Sequence, residues 1–539
     1  MSENTIGRVI GETNTRKFEF TVKQGEEPAV FEYVKIPIQD KINGEKRDQE
    51  VLAQVTDIQR RNPAMEGGTP IEAVETMTQQ GIDNTNTVAR AQVIGYMGKT
   101  GVTKPRYAPK PGTKVEIAPD DFLSEFTTVD SQGLEVGNML TRESVTAELD
   151  VEGLNRHLAI LAATGAGKSH TTGVLIEELL EKGASMLAID PHGDYVKMSQ
   201  EKNEGFEHTD KIRVFKARNP GGDEYQIKVK TSKLGWRKLS ELAGIREDFT
   251  NQRKIMRNAV NHIKEEKGEN YSYSLEDVID TLEKIQDDLV LIDGDENKTE
   301  TVEHAEKVQF KMERLESFGI FGTTEVNFQS LLSPQQLTVL DLSGIPFKAQ
   351  DLIAELVLER VYQARVRHSL GEKGETYDYP VFTIVEEAHR LCPSSSSRSE
   401  SGPRAKQKLS EIASEGRKFG TFLTLITQRP SKIDEDVLSQ CNSMIVQRIV
   451  NQQDQQSIAA ASESMASSMI SELPGLNVGD AIITGPAVKV PSTVHIRGRK
   501  TEHGGDDIDI GTKLSQARED SLEDEKTTDK LGSEDTLDV

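Results

Sequence analysis

Eight consecutive residues, Ala162-Ala163-Thr164-Gly165-Ala166-Gly167-Lys168-Ser169, have the composition of a phosphate cradle. The pattern is G-x-x-x-x-G-K-[ST], with Ala162 in place of the first glycine. Gly165 and Gly167 let the backbone curl so that successive N–H groups point at phosphate oxygens, and a helix starting there adds its positive end. Lys168 would reach the terminal phosphates, and Ser169 would offer its hydroxyl to Mg²⁺. Binding phosphates does not hydrolyse them, so a second part is needed. Val381-Phe382-Thr383-Ile384-Val385-Glu386-Glu387 is an apolar strand ending in two carboxylates, the form of a Walker B segment. Glu386 would help hold the Mg²⁺ shell, and Glu387 would polarise the attacking water as a base or a water-positioning group. Phosphoryl transfer also builds negative charge that one lysine does not offset, and multimeric NTPases add an arginine from a neighbouring subunit. The candidates are Arg417, Lys418, Arg429 and Arg156, each with a plain surface charge or salt bridge as its alternative. Gln428 could sense the γ-phosphate, whereas His389 reads as a structural helix residue.

These groups need a scaffold, and the apolar runs supply one. HLAILAATG is a buried strand entering a glycine turn, and TTGVLIEELLEKG is the helix after it. SMLAID, IRVFKA, LTVLDL, FTIVEE and FLTLIT are further buried strands with helical stretches between them, which predicts a parallel α/β sheet over residues 151–230 and 330–500. Gln428-Arg429 then falls at a strand end, where such sheets present ligand contacts. From 231 to 329 the strand signals stop and helical periodicity takes over: Leu275, Val278, Leu282 and Ile285 share one face, as do Val302, Ala305, Val308, Met312 and Leu315. This predicts a helical insertion. Upstream, FEFTVK, FEYVKIPI, EVLAQVTDI, ARAQVIGYM and TKVEIAP predict a small β-barrel or sandwich over residues 1–120, with a loop at 60–87 and a connector at 121–150.

Composition narrows the class. The 539 residues carry 65 Lys+Arg against 89 Asp+Glu, a net charge of −24, so any anionic partner must meet a local basic patch. A hydrophobic content of 35% with a mean hydropathy of −0.53 fits a chain that is mostly folded. No segment approaches the roughly 18 apolar residues of a membrane helix and MSENTIGRVI lacks a signal-type apolar stretch, so a cytoplasmic location is expected. Two cysteines, Cys392 and Cys441, predict reduced structural thiols rather than a disulfide or zinc framework. Ser394–Ser397 begin a loop by composition. Residues 501–539, with 13 acidic and four basic groups, predict a disordered tail.

The runs AATGAGKSHTT, LAIDPHGDY, IVEEAH, EGRKFGT, LITQRPSKIDEDVLSQCNSMIVQRI and GPAVKVPSTVHIRGR, in that order, closely resemble the archaeal HerA ATPases, relatives of the FtsK-type DNA pumps. The resemblance spans nearly the whole chain, with IGRVIGET opening a barrel like the HAS barrel of that family and GGDDIDI resembling its C-terminal end. It implies a RecA-like P-loop core, a homo-hexameric ring, ATP with Mg²⁺, translocation on duplex DNA, and partnership with the nuclease NurA in resecting broken ends for double-strand break repair. Residue by residue, it implies that Lys168 and Ser169 hold nucleotide and Mg²⁺; the loop around them, Thr164, Gly165, Ala166, Gly167 and His170, is expected at the nucleotide too, and Glu386 at the metal with Ser169. It further implies that Glu387 activates water, that Arg417 acts in trans, and that Arg156 and Asp190 border the site or couple subunits, while Gln428 and Arg429 are expected at the nucleotide from their place at a strand end. Ala162 and a serine-rich loop longer than the family's after Cys392 depart from the pattern.

DNA contacts are less legible. Arg404, Lys406 and Lys408 form a candidate basic cluster for backbone-directed binding, with a solvated helix face as the alternative. Two other functions stay open: a related ring ATPase pumping another cargo, and a nucleotide-gated scaffold that recruits a nuclease.

Overall fold

Alternating apolar residues build the first unit. Strands β1 (Thr5–Ile10), β2 (Lys17–Val22), β3 (Tyr33–Ile42), β4 (Glu45–Arg61), β5 (Asn86–Gly98), β6 (Gly101–Thr103) and β7 (Lys114–Ile117) form one sheet in the order β2-β1-β7-β3-β4-β5-β6. An antiparallel β2–β5 pairing, Lys17↔Gln92 to Val22↔Thr87, closes it into a barrel. Period-2 burial puts Phe18, Phe20, Val34, Ile36, Val51, Ala89 and Ala91 inside. The 60–87 loop carries a short helix, α1 (Ile71–Gln79), with no buried residue. This computed structural model describes residues 5–42, 45–65, 67–81, 85–99, 101–129, 133–200, 206–287, 298–394, 402–504 and 510–518.

The expected connector at 121–150 proves to be structured. Helix α2 (Asp120–Thr127) leads into a hairpin, β8 (Gly133–Met139) and β9 (Arg142–Asp150), and β8 pairs antiparallel with a strand near the C-terminus. The physical reason is period-2 apolarity: Leu134, Val136, Val145, Ala147 and Leu149 are buried against the core. The hairpin is therefore the outer edge of the second sheet.

That sheet has twelve strands. After β10 (Leu158–Leu161) and helix α3 (Lys168–Glu181) come β11 (Ser185–Asp190), β12 (Ile212–Lys216), β13 (Tyr225–Gln226) and β14 (Val229–Lys230). Helices α4 (Thr231–Leu242), α5 (Thr250–Lys267), α6 (Leu275–Asp287) and α7 (Lys298–Glu316) make the insertion. It is clasped at its base by β14 pairing with β15 (Phe321–Gly322). Then follow α8 (Phe328–Leu331), β16 (Gln336–Asp341), α9 (Phe347–Leu370), β17 (Val381–Val385), α10 (Ala388–Leu391), α11 (Arg404–Phe419), β18 (Thr421–Thr427), α12 (Glu435–Ser439), β19 (Ser443–Val446), α13 (Gln452–Ala461), α14 (Ser467–Glu472), β20 (Asp480–Thr484) and β21 (Ser492–Ile496). The order is β13-β12-β16-β11-β17-β18-β10-β19-β20-β21-β8-β9, parallel from β13 to β19 and antiparallel beyond.

Every residue of β10, β11, β16, β17 and β19 is buried, as a parallel sheet covered on both faces requires. The apolar faces of α6 and α7 meet in the same core as α9 and one face of this sheet, with Val278, Leu282, Val308 and Met312 inaccessible to solvent. The serine-rich loop beyond Ser394 and most of the acidic tail lie outside the described residues, while 510–518 form a helical stretch. Among the described residues no helix is long and apolar enough to cross a membrane.

Candidate active site

The register of the parallel strands gathers the chemistry. Leu161 pairs with Thr427 and Val446, Ile189 with Val385, and Asp190 with Asp341, so β10, β18, β19, β17 and β11 all end at one rim. The loop after β10 leaves this rim between two neighbours. Ala162 N–H donates to the Thr427 carbonyl and Ala163 N–H to the Arg448 carbonyl. Gly165 (φ 74) and Gly167 (φ 105) take left-handed conformations that a β-carbon disfavours, whereas Ala162 does not. That is why alanine serves where the pattern has glycine. The loop ends at the N-terminus of α3, so its N–H groups and helix dipole point to one spot.

Two adjacent carboxylates are aimed in different directions by one backbone outlier. Glu387 has φ 49 and ψ 45, a left-handed conformation costing about 1–2 kcal/mol for a residue with a β-carbon. Glu386 is fully buried, in ion-pair contact with Lys168, and accepts from the Tyr195 hydroxyl at 2.6 Å. Glu387 turns toward β18: its Oε1 accepts from Gln428 Nε2 at 2.8 Å and lies 3.5 Å from Lys168 Nζ, while His389 Nδ1 is 3.1 Å from Oε2. Burial alone would raise the Glu387 pKa, but the His389 ring and the Lys168 ammonium hold it down at about 2. It is thus an ionised acceptor. Gln428 also accepts from the Thr164 hydroxyl, which ties the phosphate loop to Glu387.

The turn after β11 completes the rim. Asp190, completely buried, accepts from the N–H groups of His192, Gly193 and Tyr195, and burial pushes its pKa up to about 6. It acts on loop shape, presenting Asp194, which accepts from Ser169 Oγ at 2.7 Å. His170 is drawn the other way, its Nε2 2.8 Å from the Arg497 carbonyl. Arg429 has an exposed side chain, and its N–H donates to Thr427 Oγ1. His389, read from sequence as structural, sits against both Glu387 and Thr427.

Arg156, Arg417 and Lys418 are not brought to this rim. Arg156 ends the 3₁₀ turn before β10, and Arg417 and Lys418 lie in the last turn of α11 before β18. Both positions are at the N-terminal edge of the sheet. The seven residues of β18 put about 20 Å between this edge and the phosphate loop of the same chain. All three side chains are exposed.

The cluster at the start of α11 does not present free charge. Arg404 pairs with Glu241, Lys406 with Asp434 at 2.8 Å, and Lys408 with Glu359 and Glu411. The helix faces acidic neighbours on α4, on α9 and at the residue capping α12, which the local sequence cannot reveal. Cys392 and Cys441 are buried free thiols, and burial raises both pKa values. Sequence reasoning missed Tyr195 and Asp194 as individuals, although both stand in the LAIDPHGDY run. It also missed Gln447, fully buried with neither amide atom hydrogen-bonded among the described residues, whose Nε2 is 3.1 Å from where a Gly167 β-carbon would stand.

Comparisons with known proteins agree with this architecture. Residues 6–105 match the HAS barrel domain, and residues 134–361 match the central domain of helicase HerA. The chain is 32% identical over 514 residues to a probable helicase, MJ1565, of Methanocaldococcus jannaschii, covering 94% of this chain and 93% of the relative. The chain belongs to the HerA helicase family. It is also 28% identical to the DNA double-strand break repair helicase HerA of Pyrococcus furiosus, over 94% of this chain and 96% of that one. Among solved structures, VirB4 of Thermoanaerobacter pseudethanolicus aligns with a TM-score of 0.48 at 14% identity, covering 69% of this chain and 98% of that one. The bacterial conjugative coupling protein TrwB aligns at 0.47 and 12%, covering 72% and 94%. As a HerA-family helicase, the chain is an ATP-hydrolysing enzyme.

Proposed function

We propose that the protein is an ATP-driven translocase on duplex DNA that works as a ring of identical subunits, a hexamer by family resemblance, and acts with a NurA-type nuclease in resecting broken ends. The observation that carries this reading is the split of the phosphoryl-transfer groups between two edges of one sheet. Lys168, Glu387 and Gln428 stand at one rim, and Arg156 and Arg417 stand at the other. With Arg156 and Arg417 at the far edge from their own chain's phosphate loop, a neighbour's copies complete the site, and a closed head-to-tail ring supplies them at every interface. The DNA double-strand break repair helicases among the relatives support DNA as the track and break repair as the setting.

The rim fits nucleotide with Mg²⁺. Its donors are hard oxygens, from Ser169, Asp194 and Glu386, which suit an ion that takes one or two protein oxygens and shares the rest with phosphates. When bound, Mg²⁺ neutralises phosphate charge. Lys168 would hold the terminal phosphates, and the N–H groups at the α3 N-terminus would hold their oxygens. A carboxylate held near pKa 2 is a weak proton sink, so Glu387 serves chiefly to orient water, with Gln428 and His389 fixing its direction. Arg417, supplied by the adjacent subunit, would offset charge as the bond to the leaving phosphate breaks.

The test is ATP-dependent displacement of a third strand from linear duplex DNA. Displacement that needs hydrolysable ATP supports translocation, whereas hydrolysis without displacement on any duplex length rejects it.

A further inference from the structure

His157 lies between Arg156 and β10, is 2% exposed, and has φ 62 and ψ 156. That backbone region is essentially glycine's, and holding another residue there costs of order 1–3 kcal/mol. The surroundings must therefore over-determine it, and they do so through the ring. Nδ1 accepts from the Leu423 N–H at 2.9 Å, and Nε2 lies 3.0 Å from the Ala413 carbonyl. An accepting Nδ1 leaves the proton on Nε2, which donates to Ala413. Burial lowers the ring's pKa to about 4, so this neutral form holds at neutral pH. The main chain is fixed as well: His157 N–H donates to Leu154, and Asn442 N–H donates to the Arg156 carbonyl.

The Ala413 carbonyl is a particular place. In an α-helix it accepts the N–H of the residue four positions on, which is Arg417. One residue earlier, Gly416 presses on β18 so closely that a β-carbon would come 2.5 Å from the Thr421 carbonyl oxygen. The last turn of α11 is thus set against β18 by Gly416 and against β10 by the His157 ring. Glycine would relieve the strain at 157, but it would supply neither bond.

We propose that His157 is a positioning residue that locks Arg156 and the Arg417-bearing turn of α11 into one block, so that both arginines reach a neighbouring subunit's nucleotide site together. The proposal rests on the trans reading given above. His157 itself touches no nucleotide.

The test uses full-length His157→Ala, His157→Gln and Arg417→Ala, each alone and mixed with Glu387→Gln, with assembly checked by size-exclusion chromatography. His157→Ala should assemble, lose about ten-fold or more in kcat, and keep its ATP KM within about two-fold. Mixed with Glu387→Gln it should regain turnover, because one protomer brings an intact Lys168 and Glu387 and the other an intact arginine block. His157→Gln, able to make one of the two bonds, should fall between, and it is read by the same measures if the alanine variant does not fold. Wild-type kcat in an assembled His157 variant overturns the proposal. So does a mixture that gains nothing while the Arg417→Ala mixture gains. If neither mixture gains, the trans reading falls and the positioning role falls with it.

Discussion

The Gln428 amide donates to Glu387 Oε1 at 2.8 Å, joining the end of β18 to the end of β17. Because Gln428 also takes the Thr164 hydroxyl, one side chain relays the phosphate loop's position to the Glu387 carboxylate. Gln428→Ala should lower kcat by about ten-fold or more and move the ATP KM little, since on the proposed function phosphate binding rests on Lys168 and backbone N–H groups. Steady-state ATPase assays separate the two constants, and a loss confined to KM would reject the relay.

Asp190 gives a pH signature. Its folded pKa of about 6 lies above the ordinary carboxylate value of 3.8, so its contribution to stability is full below about 3.8 and is lost as pH rises through about 6. Asp190→Asn cannot titrate. The stability of the wild type relative to this variant should fall by roughly 1–2 kcal/mol between pH 5 and pH 8, read by urea unfolding at each pH. A constant difference would place the Asp190 titration elsewhere.

Gly416→Ala should destabilise the protein by about 2 kcal/mol, because the new methyl meets the Thr421 carbonyl oxygen at 2.5 Å and Ile412 Cγ2 at 2.9 Å. The same change should lower kcat, since it displaces the turn bearing Arg417. Unfolding and ATPase measurements on one preparation check both.

The ion pairs of Lys406 and Lys408 carry a prediction for DNA. A lysine that contacts phosphate contributes about one unit to the slope of log affinity against log salt. Lys406→Ala and Lys408→Ala should leave that slope unchanged for a labelled linear duplex, because both ammonium groups are already engaged by carboxylates. A drop of about one unit would return them to the DNA path.

Much of this architecture was legible in the sequence for a simple reason: buried parallel strands are continuous apolar runs, and the phosphate loop needs residue types fixed by backbone geometry. The strands at 158–161, 185–190, 381–385 and 421–427 and the helical insertion were readable on those grounds. The hairpin at 133–150 was not, because its pairing partner, β21, lies more than three hundred residues away. Long-range contacts also decide which arginines are near the phosphate loop and which lysines are neutralised, as Lys408 meeting Glu359 shows. Local spacing is silent on His157 for the same reason: its ring bonds reach Ala413 and Leu423.

Nucleotide binding by Lys168 and water direction by Glu387 in a DNA-coupled ATPase are tested most directly by measuring ATP binding and steady-state hydrolysis of wild type, Lys168→Ala and Glu387→Gln, with and without linear duplex DNA. Duplex DNA should stimulate the wild type, and Lys168→Ala should bind nucleotide weakly. Glu387→Gln should bind ATP normally while turning over about a hundred-fold or more slowly. Wild-type turnover by Glu387→Gln would contradict that role for Glu387.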